Sequence, residues 1–97
     1  MSNTFIWDEQ KQIININKHR ISFDEATSVF DDPHAFLMPD ELHSDEENRF
    51  IIIGMSKKAN VLLVCHCYRN GDSLIRIISA RKATKHEEAL YGGDFND

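Results

Sequence analysis

Residues 49–81 read RFIIIGMSKKANVLLVCHCYRNGDSLIRIISAR. Three stretches rich in β-branched and aromatic residues, 49–56, 61–69 and 73–81, are separated by residues 57–60 and by Asn70-Gly71, links too short to hold a helix. Strands joined so tightly pair antiparallel, because a parallel crossover needs a dozen residues or more. The run therefore predicts a three-stranded meander against which both flanks must pack.

Upstream, Thr4, Phe5, Ile6 and Trp7 read as a short strand, and Asp8 is the N-cap of a helix that runs through Ile13, Ile14 and Ile16 to about His19. Ser22 and Glu25 form a capping box for a second helix, with Ile21 able to staple to Ala26, and Asp32-Pro33 ends it. Residues 34–38 read as a strand closed by Pro39, and residues 40–47 as an acidic loop. Downstream, Thr84 and Glu87 make another capping box for a helix that fades at Gly92-Gly93. The order β-α-α-β-β-β-β-α specifies an α+β fold, with helices packed on one face of a largely antiparallel sheet. A single domain over residues 1–91 is expected, followed by a flexible tail at 92–97.

The chain has 97 residues, 41% of them hydrophobic, enough for one modest core. Its longest apolar runs, 50–53 and 61–65, fall far short of the roughly 18 residues of a membrane span. The N-terminus also lacks a cationic start followed by an apolar stretch, so a cytoplasmic chain without membrane association is expected. Cys65 and Cys67 stand at i and i+2 of one strand, poorly placed to join, and are expected as reduced thiols. Cys65, His66 and Cys67 with His43 do not suit zinc, because adjacent strand residues point to opposite faces; no metal or cofactor is expected.

Charge is unevenly distributed. The net charge is −5, yet residues 24–47 carry nine carboxylates and no Lys or Arg, while residues 48–86 carry eight cations and only Asp72. Such a split can concentrate a polyanion on one surface despite a negative total, or the two blocks can neutralise each other. Arg76 and Arg81 bracket the last strand. Unpaired guanidinium groups are too costly to bury, so they either meet carboxylates inside the fold or line a surface for phosphate.

Several fragments together resemble the BrnT family, small RelE-like ribonuclease toxins of type II toxin–antitoxin systems. They are Phe5-x-Trp7-Asp8-x-x-Lys11, Asn17-Lys18-His19-x-Ile21-Ser22-Phe23-x-Glu25-Ala26, Phe30-x-Asp32-Pro33, Asn48-Arg49-Phe50-x-x-Ile53-Gly54 and Arg76-Ile77-Ile78-Ser79-Ala80-Arg81-x-Ala83-Thr84-x-x-Glu87. The resemblance spans about residues 5–91. Arg20 stands where the family pattern has glycine, and Glu87 and Glu88 lie in a helix that is usually more basic. The resemblance implies metal-independent RNA cleavage that blocks translation. It also implies neutralisation by a BrnA-type antitoxin with a ribbon-helix-helix region, so that DNA is met only through the antitoxin complex.

Cleaving RNA without a metal needs a base near the 2′-hydroxyl, positive charge against the phosphorane and an acid near the 5′-oxygen. His66, Arg76 and Arg81 are the candidate catalytic residues, and Arg49, Lys18, His19 and Trp7 the candidate substrate-binding ones. A lone histidine in an apolar strand is also a common structural residue, Trp7 is as readily core as a base-stacking platform, and Lys18 and His19 also suit a helix dipole. The hairpin register decides whether the site assembles. A loop of Arg69, Asn70 and Gly71 with Gly71 in a bulge puts His66 and Arg76 on one face and leaves Cys65, Cys67, Ile75 and Ile77 for the core. That register is expected here. Arg81, of opposite parity to Arg76, joins only if the strand ends or twists before it. The alternative function is a non-enzymatic module that binds a partner chain through its basic sheet.

Overall fold

The computed structural model describes residues 4–43 and 48–92. Strand β1 (Thr4–Ile6) leads into helix α1 (Glu9–His19), then α2 (Phe23–Thr27), which tightens into a 3-10 turn at Ser28–Asp31. Strand β2 (Phe36–Pro39) and a short 3-10 turn at Glu41–His43 precede β3 (Arg49–Met55), β4 (Val61–Arg69) and β5 (Leu74–Lys82), and α3 (Lys85–Gly92) closes the described chain. The anticipated α+β order is present. Residues 44–47 of the acidic loop and 93–97 of the expected tail lie outside the described residues.

The five strands form one sheet in the order β1-β5-β4-β3-β2. All neighbours are antiparallel except β1, which runs parallel to β5 with Phe5 opposite Ile75. One face of the sheet presents Ile52, Leu62, Val64, Ile75, Ile77 and Ala80 to Ile21, Phe23, Ala26 and Val29, and these residues make the core. One difference from the expected single layer of helices concerns α3, which contacts β3 and brings Glu87 over the opposite, more open face. The second helix is also shorter than expected, since its α-helical part ends at Thr27 and the 3-10 turn continues it to Asp31.

Helix starts follow the anticipated caps. Asp8 Oδ1 accepts from the Gln10 and Lys11 N–H groups at 2.8 and 3.2 Å, and Ser22 Oγ accepts from Glu25 N–H at 3.0 Å. Helix α1 turns a polar side inward. Buried Asn15 donates to the carbonyls of Ile21 and Ala80 and accepts from Ala80 N–H, all within 2.8–3.1 Å, so its amide satisfies β5 where β1 has already ended. Glu25, also buried, accepts from Ser56 Oγ at 2.6 Å and Asn60 Nδ2 at 2.9 Å, tying α2 to the β3–β4 turn.

The β4–β5 register departs from the expected one. Arg69 pairs with Leu74, so residues 70–73 form a four-residue turn in which Asn70 and Gly71 take φ of 55° and 69° and Ser73 donates to the Asn70 carbonyl. His66 then pairs with Ile77, and Cys67 with Arg76. The bulge lies higher in the strand: Cys65 pairs with Ser79, leaving Ile78 as the extra residue. Contrary to expectation, His66 and Arg76 therefore occupy opposite faces, and Cys65 and Cys67 lie on the face away from Ile75 and Ile77. The same bulge corrects the parity of Arg81, which pairs with Leu63 and so shares a face with Arg76.

Candidate phosphate-binding groove

The open face is built from alternate residues of three strands. Arg49, Ile51 and Ile53 of β3 pair across to Cys67, Cys65 and Leu63 of β4, which in turn pair with Arg76, Ser79 and Arg81 of β5. Beside these rows, Met38, Asp40, Leu42, Arg49, Ile51, Leu63, Cys65, Ile78, Ser79, Arg81 and Glu87 line a groove of about 430 Å³. Its floor is largely apolar, and its charged groups are two arginines and two carboxylates.

Arg81 is firmly held. Its Nη1 and Nη2 donate to Glu87 Oε1 and Oε2 at 2.8 and 2.9 Å, an end-on bidentate pair, and Nη1 also reaches the Lys82 carbonyl at 3.3 Å. Glu87 in turn accepts from Thr84 N–H at 2.9 Å, while its own N–H donates to Thr84 Oγ1 at 3.2 Å, completing the anticipated capping box. The guanidinium, helped by the Thr84 N–H, holds the Glu87 carboxyl down at about 2 despite partial burial. In the sequence Glu87 is legible as a capping residue and as part of a family-like fragment, and not as a site residue. Its part in the groove depends on the turn between β5 and α3, which folds position 87 back over position 81.

Arg49 lines the same groove. Asp40, just beyond β2, donates its N–H to the Arg49 carbonyl at 2.8 Å and accepts from Cys65 Sγ at 3.7 Å. Burial and the Asp40 carboxylate push the Cys65 thiol up to about 11, which makes it a poor nucleophile. Arg76 is on the same face but not in the groove. It lines a separate depression of about 220 Å³ with Ile6, Trp7 and Asp8, about 13 Å from Arg81 counted as four residues along a strand. Trp7 is thus joined to Arg76, while its ring meets Phe23 edge-on at 6.1 Å and its Nε1 donates to Glu9 at 3.3 Å.

The remaining candidates fall elsewhere. His66 is completely buried on the helix-facing side, with Phe30 edge-on at 4.8 Å and Phe50 and Tyr68 around it. Burial pushes its pKa down to about 4, against the opposing pull of the Val64 carbonyl. Lys18 and His19 end α1, exposed and half-buried respectively, and neither lines the groove. Among the described residues no three His, Cys, Asp or Glu side chains gather as a cation site requires, and no helix is long and apolar enough to cross a membrane.

Residues 7–87 match the family described as "Ribonuclease toxin, BrnT, of type II toxin-antitoxin system". The fold is similar to the crystal structure of the Brucella abortus ribonuclease toxin BrnT, with a TM-score of 0.66 and 26% sequence identity over 87% of this chain and 100% of that one. No curated protein sequence matches significantly. The family match takes in β2 to β5, both helices between residues 9 and 27 and the Arg81–Glu87 turn, and on that match the chain belongs to the BrnT family of ribonuclease toxins of type II toxin–antitoxin systems.

Proposed function

We propose that the chain cleaves RNA without a metal, on the open face of the sheet, with Arg81 stabilising the phosphorane and Arg49 and Arg76 holding the phosphates on either side. The observation that carries this reading is the bulge at Ile78, which sets Arg76 and Arg81 on one face that also bears Arg49. Three guanidinium groups on one surface supply the charge that a divalent ion would otherwise bring to a developing dianion. Trp7, beside Arg76, offers an aromatic surface for a neighbouring base. Complete burial on the opposite face argues against proton transfer by His66. The cytoplasmic toxin blocks translation, and its partner is a BrnA-type antitoxin with a ribbon-helix-helix region that covers the same cations, so the domain over residues 1–91 meets DNA only within that complex.

The test is cleavage of generic single-stranded RNA in EDTA by the 97-residue chain and its Arg81→Lys and Arg76→Lys variants. Arg81→Lys keeps the charge and loses the fork, and its rate should fall about 100-fold with the melting temperature held. Arg76→Lys should weaken binding more than turnover. A wild-type chain inactive in EDTA, or a fully active Arg81→Lys, overturns the reading. A stable antitoxin complex that still cleaves at the free rate overturns the proposed overlap of partner and substrate.

A further inference from the structure

We propose that Glu87 is a positioning residue for Arg81: its carboxylate fixes the guanidinium end-on so that the side-on edge, Nε–H with the outer Nη2–H, is presented ready-made to the scissile phosphate. This rests on the reading of Arg81 given above. A guanidinium has five N–H donors arranged as two forks and an outer hydrogen. Glu87 occupies the end-on fork, the Lys82 carbonyl takes the outer hydrogen of Nη1, and the side-on fork has no partner among the described residues. One arginine can therefore hold carboxylate and phosphate together, and no displacement of Glu87 is needed for RNA to bind.

Glu87 is itself fixed. Oε1 is shared between Arg81 Nη1 and the Thr84 N–H, a backbone donor at the start of α3, so the plane of the guanidinium is referred to the helix and not to a mobile side chain. A free arginine has many rotamers to lose when it is held against a phosphate. Removing that freedom before the substrate arrives favours the charged transition state over the ground state, which the other phosphate contacts already hold. The groups around Glu87 are Asp40, Arg49, Cys65 and Arg81 across the groove, with Lys85, His86 and Glu88 on its own helix.

The experiment is a double-mutant cycle on steady-state RNA cleavage with Glu87→Gln, Arg81→Lys and the pair, at several pH values, each variant also melted. Ser22→Ala, which removes a cap of the same kind from α2 far from the groove, controls for lost stability. Glu87→Gln should lower kcat about 10–100-fold with KM little changed, and it should cost almost nothing further in the Arg81→Lys chain. Raised activity in Glu87→Gln would make Glu87 a gate and overturn the proposal. A loss that persists beside Arg81→Lys and removes the acidic limb of the pH profile would make it a proton acceptor, also overturning it. So would a loss that Ser22→Ala reproduces at equal melting temperature. Full activity in Arg81→Lys would instead refute the reading of Arg81 beneath it.

Discussion

His66 shows how one residue can satisfy every chemical criterion for a role and lack access to it. The Val64 carbonyl, 3.3 Å from Nδ1, can only accept, so Nδ1 carries the proton and Nε2 accepts from the Tyr68 hydroxyl at 3.4 Å. Burial, which pushes its pKa down to about 4, keeps the ring neutral at pH 7, and both its nitrogens are partnered. Protonation in the folded state would charge a buried group among Phe30, Phe50 and Tyr68. The unfolded chain takes that proton near 6.5 and the folded one near 4, so between these values the unfolded state binds more protons and stability falls as pH falls. The loss amounts to on the order of 3 kcal/mol, and urea midpoints measured from pH 7 to 4.5 should decline accordingly. His66→Gln should be less stable at pH 7 yet show a much flatter profile over the same window. An unchanged slope in that variant would assign the dependence to other groups. Arg20 is the converse case, a residue tolerated against its backbone preference. It caps α1 at φ 64°, ψ 22°, the left-handed conformation that glycine adopts freely, and Arg20→Gly should raise stability by about 1 kcal/mol in thermal or urea unfolding.

At the scale of elements, close packing decides where the 3-10 turn sits on the sheet. A Cβ at Gly54 would stand 2.9 Å from Val29 Cγ1, 3.0 Å from Ala35 Cβ and 3.2 Å from Asp32 Oδ2, so β3 and the turn approach too closely for any side chain. Asp32 secures that approach by accepting from Met55 N–H and the Tyr91 hydroxyl, each at 2.8 Å. Gly54→Ala should cost about 1–3 kcal/mol of folding stability by overpacking, read as a fall in urea midpoint. The strands, the helix caps and the element order were legible because each rests on local chemistry: alternating β-branched residues, Asp8, Ser22 and Thr84 as caps, Asn70-Gly71 as a turn. The open face was only half legible. Arg76 and Arg81 stand out by residue type as candidates for a phosphate surface, but their common face depends on the bulge at Ile78, and no residue at 77–79 differs from what an ordinary strand would carry. A one-residue register change moves every side chain to the other face, and it reversed the positions expected for His66, Cys65 and Cys67. Glu87 escaped notice as a site residue for a related reason, since its capping box accounts for it locally while its contact with Arg81 is made across a turn.

At the scale of the molecule, location accounts for part of the charge split among the described residues. Several carboxylates of the acidic block serve the helix side of the fold: Glu25 is buried under the β3–β4 turn, Asp32 is bound to Met55 and Tyr91, and Asp24 meets Lys57 at 2.8 Å on an exposed surface. Asp40 instead lies in the groove with Arg49 and Cys65. The open face therefore carries Arg49, Arg76 and Arg81 against Asp40 and Glu87, so a chain of net charge −5 still sets three guanidinium groups on one side of its sheet. Binding through such contacts releases counterions whatever the total charge of the protein. For single-stranded RNA, three phosphate contacts predict a slope of log K against log salt of about −2, or roughly a 20-fold loss of affinity between 50 and 200 mM salt. The measurement is fluorescence anisotropy with a 2′-O-methyl RNA, which lacks the attacking hydroxyl and stays intact. Arg76→Gln should flatten the slope by about 0.7 and Lys57→Gln, on the helix side and already paired with Asp24, should leave it unchanged. If affinity is insensitive to salt, or if Lys57→Gln alters the slope as much as Arg76→Gln, the open face does not carry the phosphate contacts.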